Sequence, residues 1–253
     1  SINIGSTPNR TEIGSEGTRT IPVKPIGEFN ARWLALLARA QTQPGSMHIA
    51  LVGGGAGGVE LILAMHKRLR HELSLLDKDP NTLKFSLFTR GATILPTHNH
   101  SVQRRFIQTL RSRGIALHAN AAVVAVDDSG LTTVNGEYHS VDEVIWVTRA
   151  GGASWLKETG LSLDADGFIE VTNTLQTITD QNIFAAGDVA TMVNHPREKA
   201  GVFAVRQGQP LARNLRRSLE NNSLRDYHPQ RNWLALISTG DKYAVASRGN
   251  FYA

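Results

Sequence analysis

Leu51-Val52-Gly53-Gly54-Gly55-Ala56-Gly57-Gly58-Val59-Glu60 decides how this chain reads. It satisfies GxGxxG at Gly53, Gly55 and Gly58 and follows a short apolar run, 47–52, that reads as a strand. Behind it, residues 57–70 place Val59, Leu61, Ile62, Met65 and Leu69 on one side at helical spacing. A glycine loop between a strand and a helix is the setting in which a dinucleotide pyrophosphate is held. Gly53 permits the tight turn, Gly55 lets the backbone approach phosphates, and Gly58 lets helix and strand pack closely. The helix N-terminus adds free N–H groups and a favourable dipole.

Working outward, strand and helix alternate. Residues 83–89 read as a second strand, and 100–113 as a helix burying Val102, Phe106, Ile107 and Leu110. Residues 115–118 are a third strand. Such alternation implies a parallel sheet, because parallel strands need crossovers. From 121 the period changes to two: 121–126, 131–135 and 137–139 predict a three-stranded meander, turning at 127–130 and at Asn135-Gly136. Residues 143–147 return to the parallel sheet. Upstream, 1–9 read as a strand closed by Ser6-Thr7-Pro8-Asn9, and 10–28 as a connector. Residues 28–41 form a helix with Phe29, Trp33, Leu34, Leu37 and Ala40 inward. Downstream, 168–190 hold two short strands ending in Asn182-Ile183-Phe184-Ala185-Ala186-Gly187-Asp188. A helix over 209–221 has Leu211, Leu215 and Leu219 on one face and Arg213, Arg216 and Arg217 on the other. A hairpin joins 232–238 to 242–247.

The composition is that of an ordinary globular chain, with 41% hydrophobic and 19% charged residues, so disorder and fibrous repeats are excluded. With no cysteine among 253 residues, a disulfide scaffold, a thiolate metal site and a CxxC redox pair are excluded. No apolar run approaches the about 18 residues that cross a bilayer, and no signal peptide is visible, so a cytoplasmic protein is expected. The start, Ser1-Ile2-Asn3-Ile4, reads as a strand entered partway, and the chain is expected to be a fragment. The net charge of +5 is unevenly placed: residues 196–253 hold ten Lys and Arg against four Asp and Glu. That segment reads as a solvated or partner-covered face, with an anionic ligand or a membrane surface as the alternative. No metal is expected. His98 and His100 lack a third ligand nearby in sequence, and Asn99 reads as a helix cap. Trp33, Trp146, Trp155 and Trp233 are not interleaved with basic residues, so nucleic acid is not a partner. Helix 209–221 is short and Leu-faced, so membrane contact is possible but not indicated.

Nucleotide choice is usually set at the end of the second strand, by an acid on the ribose 2′-OH or an Arg at a 2′-phosphate. Here the strand ends Phe88-Thr89-Arg90-Gly91, without an acid. This leans toward NADPH, and an exposed loop arginine is the alternative. The stretch Thr177-Ile178-Thr179-Asp180-Gln181-Asn182-Ile183-Phe184-Ala185-Ala186-Gly187-Asp188 resembles the second flavin motif of two-dinucleotide flavoproteins, the glutathione-reductase-like class. The resemblance implies that Gly187 and Asp188 face FAD, with Asp188 on the ribityl chain. Residues 2–8 look like that family's exit from the flavin domain, and Val144-Ile145-Trp146-Val147-Thr148-Arg149-Ala150 like its return strand, where Ala-Thr-Gly is usual. The family's first GxGxxG, for the FAD pyrophosphate, is absent from this chain.

Gly58-Val59-Glu60 and the lack of cysteine make the type II NADH dehydrogenase branch the resemblance. It implies that Glu60 lies near nicotinamide and flavin; a first-turn carboxylate favoured by the helix dipole is the plainer role. Residues 195–208 and 236–247 resemble the NADH-dehydrogenase-like module fused to selenide, water dikinase, which implies such a partner domain. The expected fold is α/β: a Rossmann-like nucleotide domain at 46–150, with a partial flavin domain around it. Residues 1–45 end that flavin domain and connect, and 151–253 complete it. The implied activity is hydride transfer from NAD(P)H to FAD and on to a small-molecule acceptor such as a quinone. The fragment alone is expected to lack activity and stable FAD, its flavin-domain pieces pairing with each other or with a neighbouring molecule. A non-catalytic nucleotide-binding or docking module is the alternative.

Overall fold

The computed structural model describes residues 1–8, 20–23, 26–147 and 150–253. In chain order these form β1 (Thr7–Pro8), β2 (Thr20–Pro22), α1 (Ile26–Thr42), β3 (Met47–Val52), α2 (Ala56–Leu75), β4 (Leu83–Phe88), α3 (His100–Ser112) and β5 (Ile115–His118). There follow β6 (Val123–Val126), β7 (Gly130–Thr133), β8 (Tyr138–Ser140), β9 (Glu143–Trp146) and β10 (Ala150–Gly151). The remainder comprises β11 (Ile169–Val171), β12 (Ala190–Met192), α4 (Gly201–Leu219), β13 (Ala235–Ser238), β14 (Ala244–Arg248) and β15 (Phe251–Tyr252). Two compact units result. One is Arg10–Arg149 with Leu234–Ala253; the other is Ser1–Asn9 with Ala150–Trp233. Most of the expected connector 10–28, and Thr148 and Arg149 of the return strand, lie outside the described residues.

In the first unit, β2-β9-β3-β4-β5 form a five-stranded parallel sheet. Its central strands β3 and β4 are buried almost throughout, as strands covered on both faces must be. One face meets Val59, Ile62, Leu63 and Leu69 of α2 and Val102, Phe106 and Leu110 of α3. The expected meander is β6-β7-β8, packed through Val123, Val126 and Leu131 on Phe88, Val144 and Trp146. Asn99 caps α3, accepting from the Ser101 and Val102 amides at 3.1 Å.

Three local expectations are corrected here. Thr20–Pro22, read as connector, is an edge strand parallel to β9; three residues are too few to show a period, and an edge tolerates proline. On α1 the buried residues are Leu36 and Ala40, while Leu34 is 54% exposed. At about 100° per residue Leu34 turns off the Phe29–Trp33–Leu37–Ala40 stripe. The C-terminal hairpin, assigned by sequence to the 151–253 segment, packs in the nucleotide unit, where Ile237 and Val245 enter the main core. Its turn sits on α2: Gly240 has φ +78°, and a Cβ there would lie 2.5 Å from the Leu63 carbonyl carbon. Arg113 holds the same turn, bonding the Thr239 carbonyl and pairing with Asp241 at 2.9 Å.

The second unit is built from segments distant in sequence. β1 pairs antiparallel with β10, and Ile2 inserts beside Ala185, donating to the Phe184 carbonyl at 2.7 Å and accepting from the Ala186 amide at 3.1 Å. The two ends of the expected flavin-domain pieces therefore do pair with each other. β11 and β12 are parallel neighbours. Ile183–Ala186, expected to end a strand, makes isolated bridges only, because its backbone bonds are divided between Leu175 and Ile2. Helix α4 begins at Gly201 rather than 209; Gly208 and Pro210 weaken the helical signal in its middle. Leu211 is buried and Leu215 packs beside it, but Leu219 is 87% exposed on the last turn. Asn214, 1% exposed, ties α4 to the following chain, donating to the Thr174 and Arg225 carbonyls and accepting from the Arg225 amide.

Candidate functional site

The glycine loop lies at the C-terminal end of β3, and each of its glycines has a different physical reason. Gly53 has φ +134° and donates to the Phe88 carbonyl at 2.9 Å; a Cβ there would sit 2.2 Å from the Val147 oxygen. At Gly54 a Cβ would meet Thr89 Oγ1 at 2.5 Å, and at Gly58 the Gly53 oxygen at 1.9 Å. These are places where strand, loop and helix backbones touch. Gly55 differs: nothing lies within 4 Å of its added Cβ. It is also the N-cap of α2, without a side chain to accept from the first helical amides. An open backbone surface in front of an uncapped helix N-terminus suits phosphate oxygens. A nicotinamide dinucleotide's pyrophosphate therefore fits the residues present.

The loop after β4 is pinned against these glycines. The Thr89 amide donates to His118, the Asn120 amide to Gly91, and the Leu95 amide to the Gly54 carbonyl at 2.7 Å. Leu95, fully buried, takes φ +52°, a left-handed conformation that non-glycine residues adopt at a cost and that the surroundings must enforce. Between these anchors Arg90 is exposed.

Glu60 is half-buried in the first turns of α2, and its Oε1 accepts from the Ser238 amide at 2.8 Å, holding β13. This positioning contact was not legible in sequence, since the two residues are 178 apart. Glu60→Gln keeps an acceptor and is expected to leave hairpin docking intact. Glu60→Ala strands the Ser238 N–H and is expected to cost about 1–2 kcal/mol. Thermal melting with hydrogen exchange at the Ser238 amide checks this, and equal protection in all three proteins would refute it.

In the other unit, Gly187 (φ +76°) and Asp188 open a 3-10 turn. Asp188 Oδ2 accepts from Ser6 Oγ at 3.3 Å, and the Gly187 amide donates to Gln207 Oε1 of α4 at 2.6 Å. A cavity of about 20 Å³ adjoins them, lined also by Thr191, Lys199 and Phe203. That is space for about one water molecule. A flavin ring does not fit inside it; the carboxylate of Asp188 is suited to a polyol chain passing outside. Lys199, which sequence reasoning passed over, donates to the Ala190 carbonyl at 2.7 Å and Thr191 Oγ1 at 2.9 Å, and stands 3.9 Å over the Phe168 ring. Burial pushes its ammonium pKa down to about 8, against the nearby Asp164 and Asp188 charges. Lys199 and Gln207 both fall inside the 195–208 stretch, but nothing local marks them as partners of β12 and Gly187.

His98 and His100 are engaged elsewhere, with Ser247 Oγ at 3.0 Å and Gln103 Oε1 at 3.1 Å. Among the described residues no group of three or more His, Asp or Glu is arranged to hold a metal. Among the same residues no helix is long and apolar enough to cross a membrane.

A parallel sheet with its glycine loop at a strand end, and a meander before the last strand, define a dinucleotide-binding α/β protein of the Rossmann type. The chain belongs to the pyridine nucleotide-disulphide oxidoreductase family, which matches residues 2–208. It is 26% identical over 217 residues to the type II NADH:quinone oxidoreductase of Haemophilus influenzae, covering 82% of this chain and 46% of that protein. It is 23% identical over 188 residues to the enzyme of the same description from Staphylococcus aureus, covering 71% and 46%. The chain thus spans about half the length of the curated relatives it matches. Among solved structures, the sulfide:quinone oxidoreductase of Aquifex aeolicus superposes with TM-score 0.74 at 17% identity, over 98% of this chain and 64% of that one. An engineered water-forming NADPH oxidase bound to NADPH gives 0.68 at 21%, over 97% and 51%. These last two likenesses are of fold.

Proposed function

We propose that this chain supplies the nicotinamide-nucleotide domain, and part of the flavin domain, of a flavin-dependent NAD(P)H dehydrogenase of the type II NADH:quinone oxidoreductase kind. The observation that carries the reading is Gly55, open to solvent at an uncapped helix N-terminus while its neighbours Gly53, Gly54 and Gly58 are closed by backbone and side-chain contacts. Those residues would hold the NAD(P)H pyrophosphate. Asp188, with Gly187, would hold the ribityl end of FAD. When bound, the flavin supplies the two-electron acceptor chemistry, and the acceptor beyond it is a small molecule such as a quinone. The chain's own part is to fix the nucleotide and exclude competing geometries. Glu60 belongs to this reading as a residue on the nucleotide helix near the reacting groups. A fused selenide, water dikinase domain and a cytoplasmic setting are parts of the proposal that rest on the sequence reading alone.

The test is the purified full-length protein. Its visible spectrum is expected to show flavin, and it is expected to oxidise NADH or NADPH with a soluble quinone. Asp188→Ala is expected to lower flavin content about tenfold, the loss of one charge-assisted hydrogen bond, while oxidised nucleotide still binds. A protein that binds neither flavin nor nucleotide would remove this reading and leave a docking module.

A further inference from the structure

Residues 80–126 contain no aspartate or glutamate, while they hold Lys84, Arg90, Arg104, Arg105, Arg111 and Arg113. This stretch builds β4, α3, β5 and the loops at the C-terminal ends of β4 and β5. Within it, the loop after β4 that carries Arg90 borders the glycine loop at the position where the adenosine ribose of a dinucleotide lies, while Arg113, past the end of α3, is paired with Asp241. We infer that the nucleotide of this site is the 2′-phosphorylated one, NADP(H), with Arg90 as the residue that receives the 2′-phosphate. The inference rests on the nucleotide site proposed above.

Three features of the structure support it. The loop carrying Arg90 is held on both sides, by Thr89 and Gly91 against the end of β5 and by Leu95 against Gly54, so an exposed arginine is carried on a loop fixed next to the glycine loop. The enforced left-handed Leu95 keeps that approach. The strand end itself, Phe88-Thr89-Arg90-Gly91, carries no carboxylate to accept both ribose hydroxyls. Asp127 and Asp128 follow β6, beside Ser129, whose carbonyl accepts from the Val141 amide ahead of β9; this is the far end of the sheet from Arg90. Glu137, in the turn before β8, lies 3.6 Å from His139 and faces the His118–His139 ring pair. A bidentate arginine matches a phosphate's oxygens in a way that a ribose hydroxyl does not repay.

Calorimetry of the full-length protein with oxidised NADP⁺ and NAD⁺ tests this without turnover, and 2′,5′-ADP against 5′-AMP isolates the 2′-phosphate. NADP⁺ is expected to bind at least about tenfold more tightly than NAD⁺, and 2′,5′-ADP likewise against 5′-AMP. Arg90→Gln is expected to abolish that difference by weakening NADP⁺ alone; because Arg90 is exposed, its melting temperature should not move. Equal or tighter binding of NAD⁺ would overturn the inference and leave the nucleotide site standing. Failure of both nucleotides to bind would instead overturn the site itself. A preference that survives Arg90→Gln would refute the assignment to Arg90.

Discussion

Gly58→Ala is expected to destabilise the nucleotide unit by about 3 kcal/mol, although alanine is the better helix former. Propensity favours Ala over Gly in a helix by about 1 kcal/mol. Against it stands a Cβ placed 1.9 Å from the Gly53 oxygen and 3.1 Å from Leu51 Cδ2. The carbonyl cannot withdraw cheaply, because Gly53 is itself bonded to Phe88 and closed by Val147. Overpacking of this kind costs about 1–3 kcal/mol, more where backbone must move, so the clash wins. In a unit of this size the melting temperature should fall by about 6–12 °C. Gly55→Ala is the contrasting variant: its Cβ meets nothing within 4 Å, so stability should hold while nucleotide affinity falls. Melting curves paired with nucleotide titrations separate the two. A Gly58→Ala protein as stable as its parent would show that helix and strand are not held as closely as described.

The second large effect is a loss of stability on mild acidification, carried by His66. Its ring is 8% exposed on the inner side of α2, edge-on to Phe85 at 5.1 Å between centroids. Burial, then the cations of Arg70 and Arg113, push its pKa down from 6.5 to about 4. The folded state therefore keeps His66 neutral where the unfolded chain takes up a proton. The sign follows: stability is full above about pH 6.5 and is lost as pH falls from there toward about 4, by up to about 3 kcal/mol. His48 and His118 are lowered too, mainly by burial, and act in the same direction. Denaturant unfolding at pH 7 and pH 4.5 measures it. His66→Leu should flatten the difference, and a variant with the parent's full acid sensitivity would assign the effect to other groups.

Much of the nucleotide unit was legible because its signals are local. A strand, three closely spaced glycines and a helical apolar stripe lie within 30 residues, and the Asn99 cap and the Thr239-Gly240-Asp241 turn announce themselves by residue type. Gly187 and Asp188 were legible only as part of a longer resemblance. The site residues missed are those whose partners lie elsewhere in the chain. Lys199 acquires its meaning from Ala190, Thr191 and Phe168, and Gln207 from the Gly187 amide.

By itself the sequence determined the class of the protein: alternating strands and helices with a glycine loop, which local propensity and period specify almost residue by residue. Tertiary structure alone decided which pieces belong together. It placed Thr20–Pro22 at the sheet edge, inserted Ile2 beside Ala185, set the C-terminal hairpin on α2 and gave Glu60 the Ser238 amide to hold. The physical reason is that backbone hydrogen bonds and burial between residues far apart in sequence leave no periodic trace in either partner. A three-residue edge strand, or a single carboxylate, reads the same whether its partner is present or not.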